Sequence, residues 1–75
     1  MEKIMLSEKQ IRNYINLFNK DIREELIKRY LNNNNYLYLE KFNYNDFEGY
    51  DYGLYDKDGL VDKVDYDNFM IWIGK

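Results

Sequence analysis

Cysteine, histidine and proline are absent from this 75-residue sequence, and so are alanine and threonine. Without cysteine the chain has no disulfide framework, no thiolate ligand for a metal and no thiol nucleophile. Without histidine it lacks the commonest general base and metal ligand. Its four glycines, at positions 49, 53, 59 and 74, are too scattered to form a phosphate-binding loop. We therefore expect no enzyme activity, no metal site and no cofactor.

Long apolar runs are absent as well. No stretch approaches the roughly 20 apolar residues of a membrane span, and the apolar residues after Met1 are too few for the core of a signal peptide. With 45% hydrophobic and 19% aromatic residues, the chain nevertheless has enough core-forming side chains to fold. We expect one small domain, residues 1–75, with no membrane contact.

The commonest residues point to an origin. The sequence holds ten Asn, nine Tyr, eight Lys and seven Ile. All four have A/T-rich codons, whereas the absent Ala and Pro have G/C-rich ones. This bias indicates a low-GC genome, such as that of a low-GC bacterium, its phages or its mobile elements, and we expect a cytoplasmic protein in a bacterial host.

The first part of the chain predicts helix. Ser7 and Gln10 form a capping-box pair, with Leu6 and Ile11 at the staple positions around it. Apolar residues then recur at helical intervals, at Ile11, Ile15, Phe18, Ile22, Leu26 and Tyr30.

The number of helices is left open by a second cap signal. Asp21 with Glu24 forms another N-cap pair, so either one long helix or two shorter helices with a turn near Asn19 fit the pattern. In both cases the Asn run at 32–35 ends the helical region.

From residue 36 onward the composition is typical of β-strands. We predict strands over 36–44, 50–55, 60–66 and 69–73, with turns at Asn45-Asp46 and Asp67-Asn68 and a hairpin loop over 56–59. The predicted fold is α+β, an N-terminal helical region packed on a three- or four-stranded antiparallel sheet.

The last predicted strand is apolar on both faces, which is typical of a central strand or of one that faces a partner. Phe69, Ile71 and Ile73 would point one way, and we place Ile71 in the core. Met70 and Trp72 would point the other way. These two are the candidate surface for self-association in a homodimer.

Charge divides the chain into two parts. Residues 1–35 hold seven basic and five acidic groups, whereas residues 36–75 hold four basic and nine acidic groups. Spaced carboxylates resemble the phosphates of nucleic acid, and tyrosine adds contact area at low entropic cost. The residues that would form such an acidic, tyrosine-rich partner-binding surface are Asp46, Glu48, Tyr50, Asp51, Tyr52, Asp56, Asp58, Asp62, Asp65 and Asp67.

This surface predicts a small non-enzymatic inhibitor or adaptor that occupies a basic groove of a host protein and makes no direct contact with nucleic acid. The host protein would belong to a defence or nucleic-acid-processing system. In size, acidity and composition the chain resembles the small anti-restriction and anti-CRISPR proteins of phages, although it shares no motif with them.

Two alternatives belong to other functional classes. A split helical region would be compatible with a helix-turn-helix protein that binds DNA through Arg23, Lys28 and Arg29. A homo-oligomeric structural module would use the strand over 69–73. A solvated acidic sheet face that serves only solubility is the remaining explanation of the charge.

Overall fold

A computed structural model describes residues 2–33, 35–43 and 49–75, and within them the chain forms three α-helices and a four-stranded antiparallel sheet. The elements, in chain order, are β1 (Lys3–Met5), α1 (Glu8–Ile15), α2 (Lys20–Ile27) with a π-helical extension (Lys28–Asn32), β2 (Tyr38–Lys41), β3 (Tyr52–Asp56), β4 (Gly59–Val64) and α3 (Tyr66–Ile73). The predicted α+β class is confirmed. Among the described residues, none of the helices has the length and apolar character needed to cross a membrane.

Helix α1 begins at the predicted capping box. The Ser7 hydroxyl accepts the backbone N–H of Gln10 at 3.2 Å, and the Gln10 side chain accepts the backbone N–H of Ser7 at 2.8 Å. These two bonds satisfy amides that have no partner within the helix. Leu6 and Ile11 are both buried in the core, as the staple positions predict.

The helical region is divided into two helices. The backbone N–H of Phe18 donates to the carbonyl of Ile15, which closes a turn after α1. The side chain of Asn19 then accepts the N–H of Ile22 at 3.2 Å and caps α2, so the cap is Asn19 rather than the predicted Asp21. No residue of α2 is fully buried; Leu26 packs against the core, whereas Ile22 is exposed although it belongs to the predicted apolar stripe.

The sheet has the order β1-β2-β3-β4, with every neighbouring pair antiparallel. Strand β1 was not predicted; it is only three residues long and pairs with β2, where Met5 lies opposite Tyr38. The hairpin between β3 and β4 is confirmed, and Gly59 has a φ of 124° that other residues rarely adopt. The turn predicted at Asn45-Asp46 lies outside the described residues.

The predicted last strand is wrong, because residues 66–73 form α3. Phe69, Met70 and Ile73 are buried, which is the spacing of one helix face. Ile71 is 69% exposed, so its predicted core placement is also wrong. The run over 69–73 is apolar at every position, and such a run does not distinguish a buried strand from a helix by periodicity.

Contacts with α1 hold the end of α3. The side chain of Asn13 donates to the carbonyl of Ile73 at 2.8 Å, and that of Gln10 donates to the carbonyl of Gly74 at 2.8 Å. Carbonyls at a helix C-terminus lack partners within the helix, so these bonds satisfy them. Gly74 has a φ of 86° and ends the helix.

The core lies between the helices and one face of the sheet. Leu39 and Leu54 point toward the helices from adjacent central strands and are fully buried, together with Ile15 and Ile73. Because side chains alternate along a strand, Tyr38 and Tyr55 lie on the opposite face, which the described helices leave open.

Candidate functional site

The described carboxylates of the predicted acidic surface are spread along the β3–β4 hairpin. Asp56 and Asp58 are at the hairpin loop, and Asp62 lies in the middle of β4, opposite Leu54. Asp51, Asp65 and Asp67 lie at the far end, where β3 begins and β4 runs into α3. Asp46 and Glu48 lie outside the described residues. The predicted single surface is therefore divided.

The carboxylate of Asp56 belongs to the protein interior. Only 4% of Asp56 is exposed, and its carboxylate accepts the Tyr30 hydroxyl at 2.9 Å and the backbone N–H of Asp58 at 2.8 Å. A guanidinium nitrogen of Arg29 lies 3.5 Å from both Asp56 and Asp58. Burial and the hydrogen bond to Asp56 raise the pKa of Tyr30 well above its usual value. Asp56 links the hairpin to the helical region and does not contribute to an accessible acidic surface.

At the far end, the carboxylates lie around the start of α3. Asp51 accepts the backbone N–H of Tyr66, the first residue of α3, at 2.9 Å. The ring of Tyr66 packs on that of Tyr52 at 4.6 Å. Burial raises the pKa of Tyr52, and Tyr66 and then the carboxylates of Glu2, Asp51 and Asp67 raise it further. Negative charges disfavour the ionised form of a tyrosine hydroxyl, which is the physical reason for the upward direction.

A groove of about 440 Å³ adjoins this end, between β4, α3 and the turn after α1. Its lining combines large apolar or aromatic side chains, including Leu17, Phe18, Tyr50 and Trp72, with the carboxylates of Asp62 and Asp65 and the ammonium of Lys63. Burial, and to a smaller degree the charge of Asp62, raise the pKa of Tyr14 in the groove wall to about 12.

The two residues predicted for self-association are separated by α3. Met70 is buried in the core, so it cannot contact a partner. Trp72 is 62% exposed and lines the groove. A helix turns by about 100° per residue, so positions 70 and 72 point to nearly opposite sides, whereas in a strand they would share a face.

A second surface that sequence reasoning missed is the open face of the sheet. The rings of Tyr36, Tyr38 and Tyr55 are stacked in a row, with centroid distances of 5.9 and 5.4 Å. The Lys3 ammonium lies 4.8 Å from the centroid of the Tyr38 ring. We call these four residues the tyrosine row. The alternation of Tyr36 and Tyr38 with leucines was a signal for it, but the neighbour from β3 follows only from the strand register.

The open face also carries exposed apolar side chains. Met5 and Leu60, on the two edge strands, are each about half exposed. Burial raises the pKa of Tyr55, with a further contribution from the nearby Glu40 carboxylate. The Tyr55 hydroxyl therefore stays protonated at neutral pH, when it can both donate and accept hydrogen bonds.

The cations of the alternative DNA-binding hypothesis lie on α2 and its extension. Arg23 is within α2, whereas Lys28 and Arg29 belong to the π-helical turn that follows. Arg29 forms ion pairs with Asp56 and Asp58, and its guanidinium also lies 5.7 Å from the centroid of the Tyr30 ring.

In the described part of the chain, no three or more acidic side chains lie together in a way that could hold a metal ion. Comparisons with protein-family models, with curated proteins and with solved structures find no match.

Proposed function

We propose that this protein is a small non-enzymatic inhibitor or adaptor, of phage or mobile-element type, that binds a basic surface of a host protein. The host protein would act in defence or in nucleic-acid processing, and the acidic end of the chain would occupy the place of DNA or RNA. The observation that carries the proposal is the juxtaposition of exposed carboxylates with the groove that contains Tyr50 and Trp72.

Charge and apolar area have separate roles in this proposal. Exposed carboxylates steer the encounter with a basic partner and select against acidic ones, but each contributes little affinity. Buried aromatic side chains supply most of the affinity in protein interfaces. Trp72 is 62% exposed in the isolated chain, so a partner that covers it would gain affinity from the burial of this aromatic side chain.

The test is capture of proteins from a low-GC bacterial lysate with variants of matched charge. We expect the unmodified chain to retain a nucleic-acid-binding protein that salt releases, since the attraction between exposed charges is screened. Asp62→Lys and Asp65→Lys should each reduce retention. Asp51 is unsuitable for reversal, because it also holds the start of α3.

Glu25→Lys is the matched control, since it makes the same charge change on exposed α2. Circular dichroism must show that all three variants are folded. If the control reduces retention as much as the groove variants do, net charge alone explains binding and the proposal fails. Retention that does not respond to either groove variant would also contradict it.

A second candidate is a homo-oligomeric module, and the open sheet face favours it. The tyrosine row, with Met5 and Leu60 beside it, is a broad half-exposed aromatic surface on the side away from the helices. Light scattering should then show a mass that rises with concentration and that Leu60→Lys returns to the monomer value. Ile71→Lys, at an exposed position of α3, is the control.

The DNA-binding alternative has less support from the geometry. Arg29 is neutralised by Asp56 and Asp58, and the carboxylates at the far end of the sheet would repel phosphate. It predicts that labelled DNA is shifted at low salt and that Arg23→Gln and Lys28→Gln abolish the shift.

A further inference from the structure

The groove between β4, α3 and the turn after α1 has the features of a site for a segment of another protein. Leu17, Tyr50 and Trp72 are 49, 46 and 62% exposed, so these side chains project from the groove wall. Small-molecule pockets bury about 70–90% of their ligand. A small ligand in this open groove would leave the projecting side chains in water, whereas a peptide segment would cover them.

The charges in the groove define the chemistry of that segment. The groove lining holds two carboxylates, Asp62 within β4 and Asp65 just before α3, and one ammonium, that of Lys63, so its charged residues carry a net charge of −1. One oxygen of Asp62 accepts the backbone N–H of Lys63 at 2.8 Å, which fixes the orientation of the carboxylate. A carboxylate held in this way loses less entropy when it pairs with a cation than a mobile one does.

We infer that the groove binds a short basic segment of a partner protein, in which an apolar side chain packs against Trp72 and flanking Lys or Arg side chains pair with Asp62 and Asp65. This inference rests on the proposed function in that the partner is a basic protein. It adds the location of the contact and the kind of sequence that would be recognised.

Trp72 provides a direct reporter, because it is the only tryptophan in the chain. The probe is a capped peptide in which Lys alternates with Leu and Phe, which adds no tryptophan of its own. With excitation selective for tryptophan, we expect a saturable blue shift of the emission and weaker quenching by acrylamide. Two analogues, one with Glu for Lys and one with Ser for Leu and Phe, should leave the emission nearly unchanged.

Variants test the contribution of each carboxylate. Asp62→Asn and Asp65→Asn should each weaken peptide binding by at most about five-fold, the upper limit for an exposed ion pair. Asp58→Asn removes the same charge at the hairpin loop and should leave the affinity unchanged. Leu17→Ser should weaken binding without a change in charge.

The inference is overturned if the basic peptide leaves Trp72 emission unchanged, or if the Glu analogue binds equally well. Equal effects of Asp58→Asn and Asp62→Asn would also overturn it, since binding would then follow net charge alone. If lysate capture depends on Asp62 and Asp65 while the peptide has no effect, the groove inference fails and the proposed function stands. If the peptide binds as expected but no host protein is captured, the proposed function fails instead.

Discussion

Ile71 and Ile73 allow a direct test of the C-terminal helix. The two residues would share a face in the strand that the sequence suggests, but in α3 Ile73 is fully buried and Ile71 is 69% exposed. Deleting a buried methyl group costs both its transfer free energy and the cavity that it leaves. The same deletion at an exposed helical position leaves packing unchanged.

We expect Ile73→Val to lower the free energy of unfolding by about 0.5–1.5 kcal/mol, and Ile71→Val to change it by less than about 0.5 kcal/mol. For a domain of this size, about 4–8 °C of melting temperature corresponds to each kcal/mol. Ile73→Val should therefore melt about 2–12 °C lower than the unmodified chain. Ile71→Ala should be neutral or stabilising by a few tenths of a kcal/mol, because alanine favours helix.

The assay is thermal and urea unfolding followed by circular dichroism, which reports on backbone structure and not on nearby Trp72. The valine variants are preferred because Ile73→Ala would cost about 2–5 kcal/mol. The whole free energy of unfolding expected for 75 residues is about 4–11 kcal/mol. Equal losses of stability in the two valine variants would refute the helical assignment and support a strand at residues 69–73.

Three further predictions concern other parts of the fold. Asp56→Ala should lower the free energy of unfolding by about 1–3 kcal/mol, because it leaves the Tyr30 hydroxyl buried without its acceptor; urea titration should show that adding Tyr30→Phe to Asp56→Ala restores most of this loss. Burial favours the neutral form of Tyr14, so its contribution to stability is complete below pH 10 and is lost as the pH rises toward about 12. Unfolding midpoints over this range should therefore fall, and less steeply in Tyr14→Phe. A Cβ at Gly53 would lie 2.6 Å from the Tyr55 ring, so Gly53→Ala should displace the ring, cost about 1–3 kcal/mol and weaken the near-ultraviolet dichroism of the stacked tyrosines.

Local signals predicted much of the fold. The capping box at Ser7 and the hairpin loop before Gly59 are both set by residues within a few positions of one another. The helix boundary was ambiguous because Asn19 and Asp21 are both good cap residues. The structure uses Asn19, whose side chain accepts the N–H of Ile22.

The candidate site was less accessible to sequence reasoning. The acidic, tyrosine-rich composition was visible, but the burial of Asp56 depends on Tyr30, which is 26 residues away. The position of Trp72 on the groove depends on α3 being a helix. The tyrosine row depends on the pairing of Tyr38 with Tyr55 across two strands.

The sequence by itself determined the α+β class, the start of α1 and the β3–β4 hairpin, because short-range hydrogen bonds and periodicity specify them. Tertiary structure alone decided that residues 66–73 form a helix, in which Asn13 satisfies the carbonyl of Ile73. It also decided which carboxylates remain exposed to water. The physical reason is that an apolar run or a cluster of Asp residues has no preferred partner within itself. Its conformation and burial follow from side chains that only folding brings near.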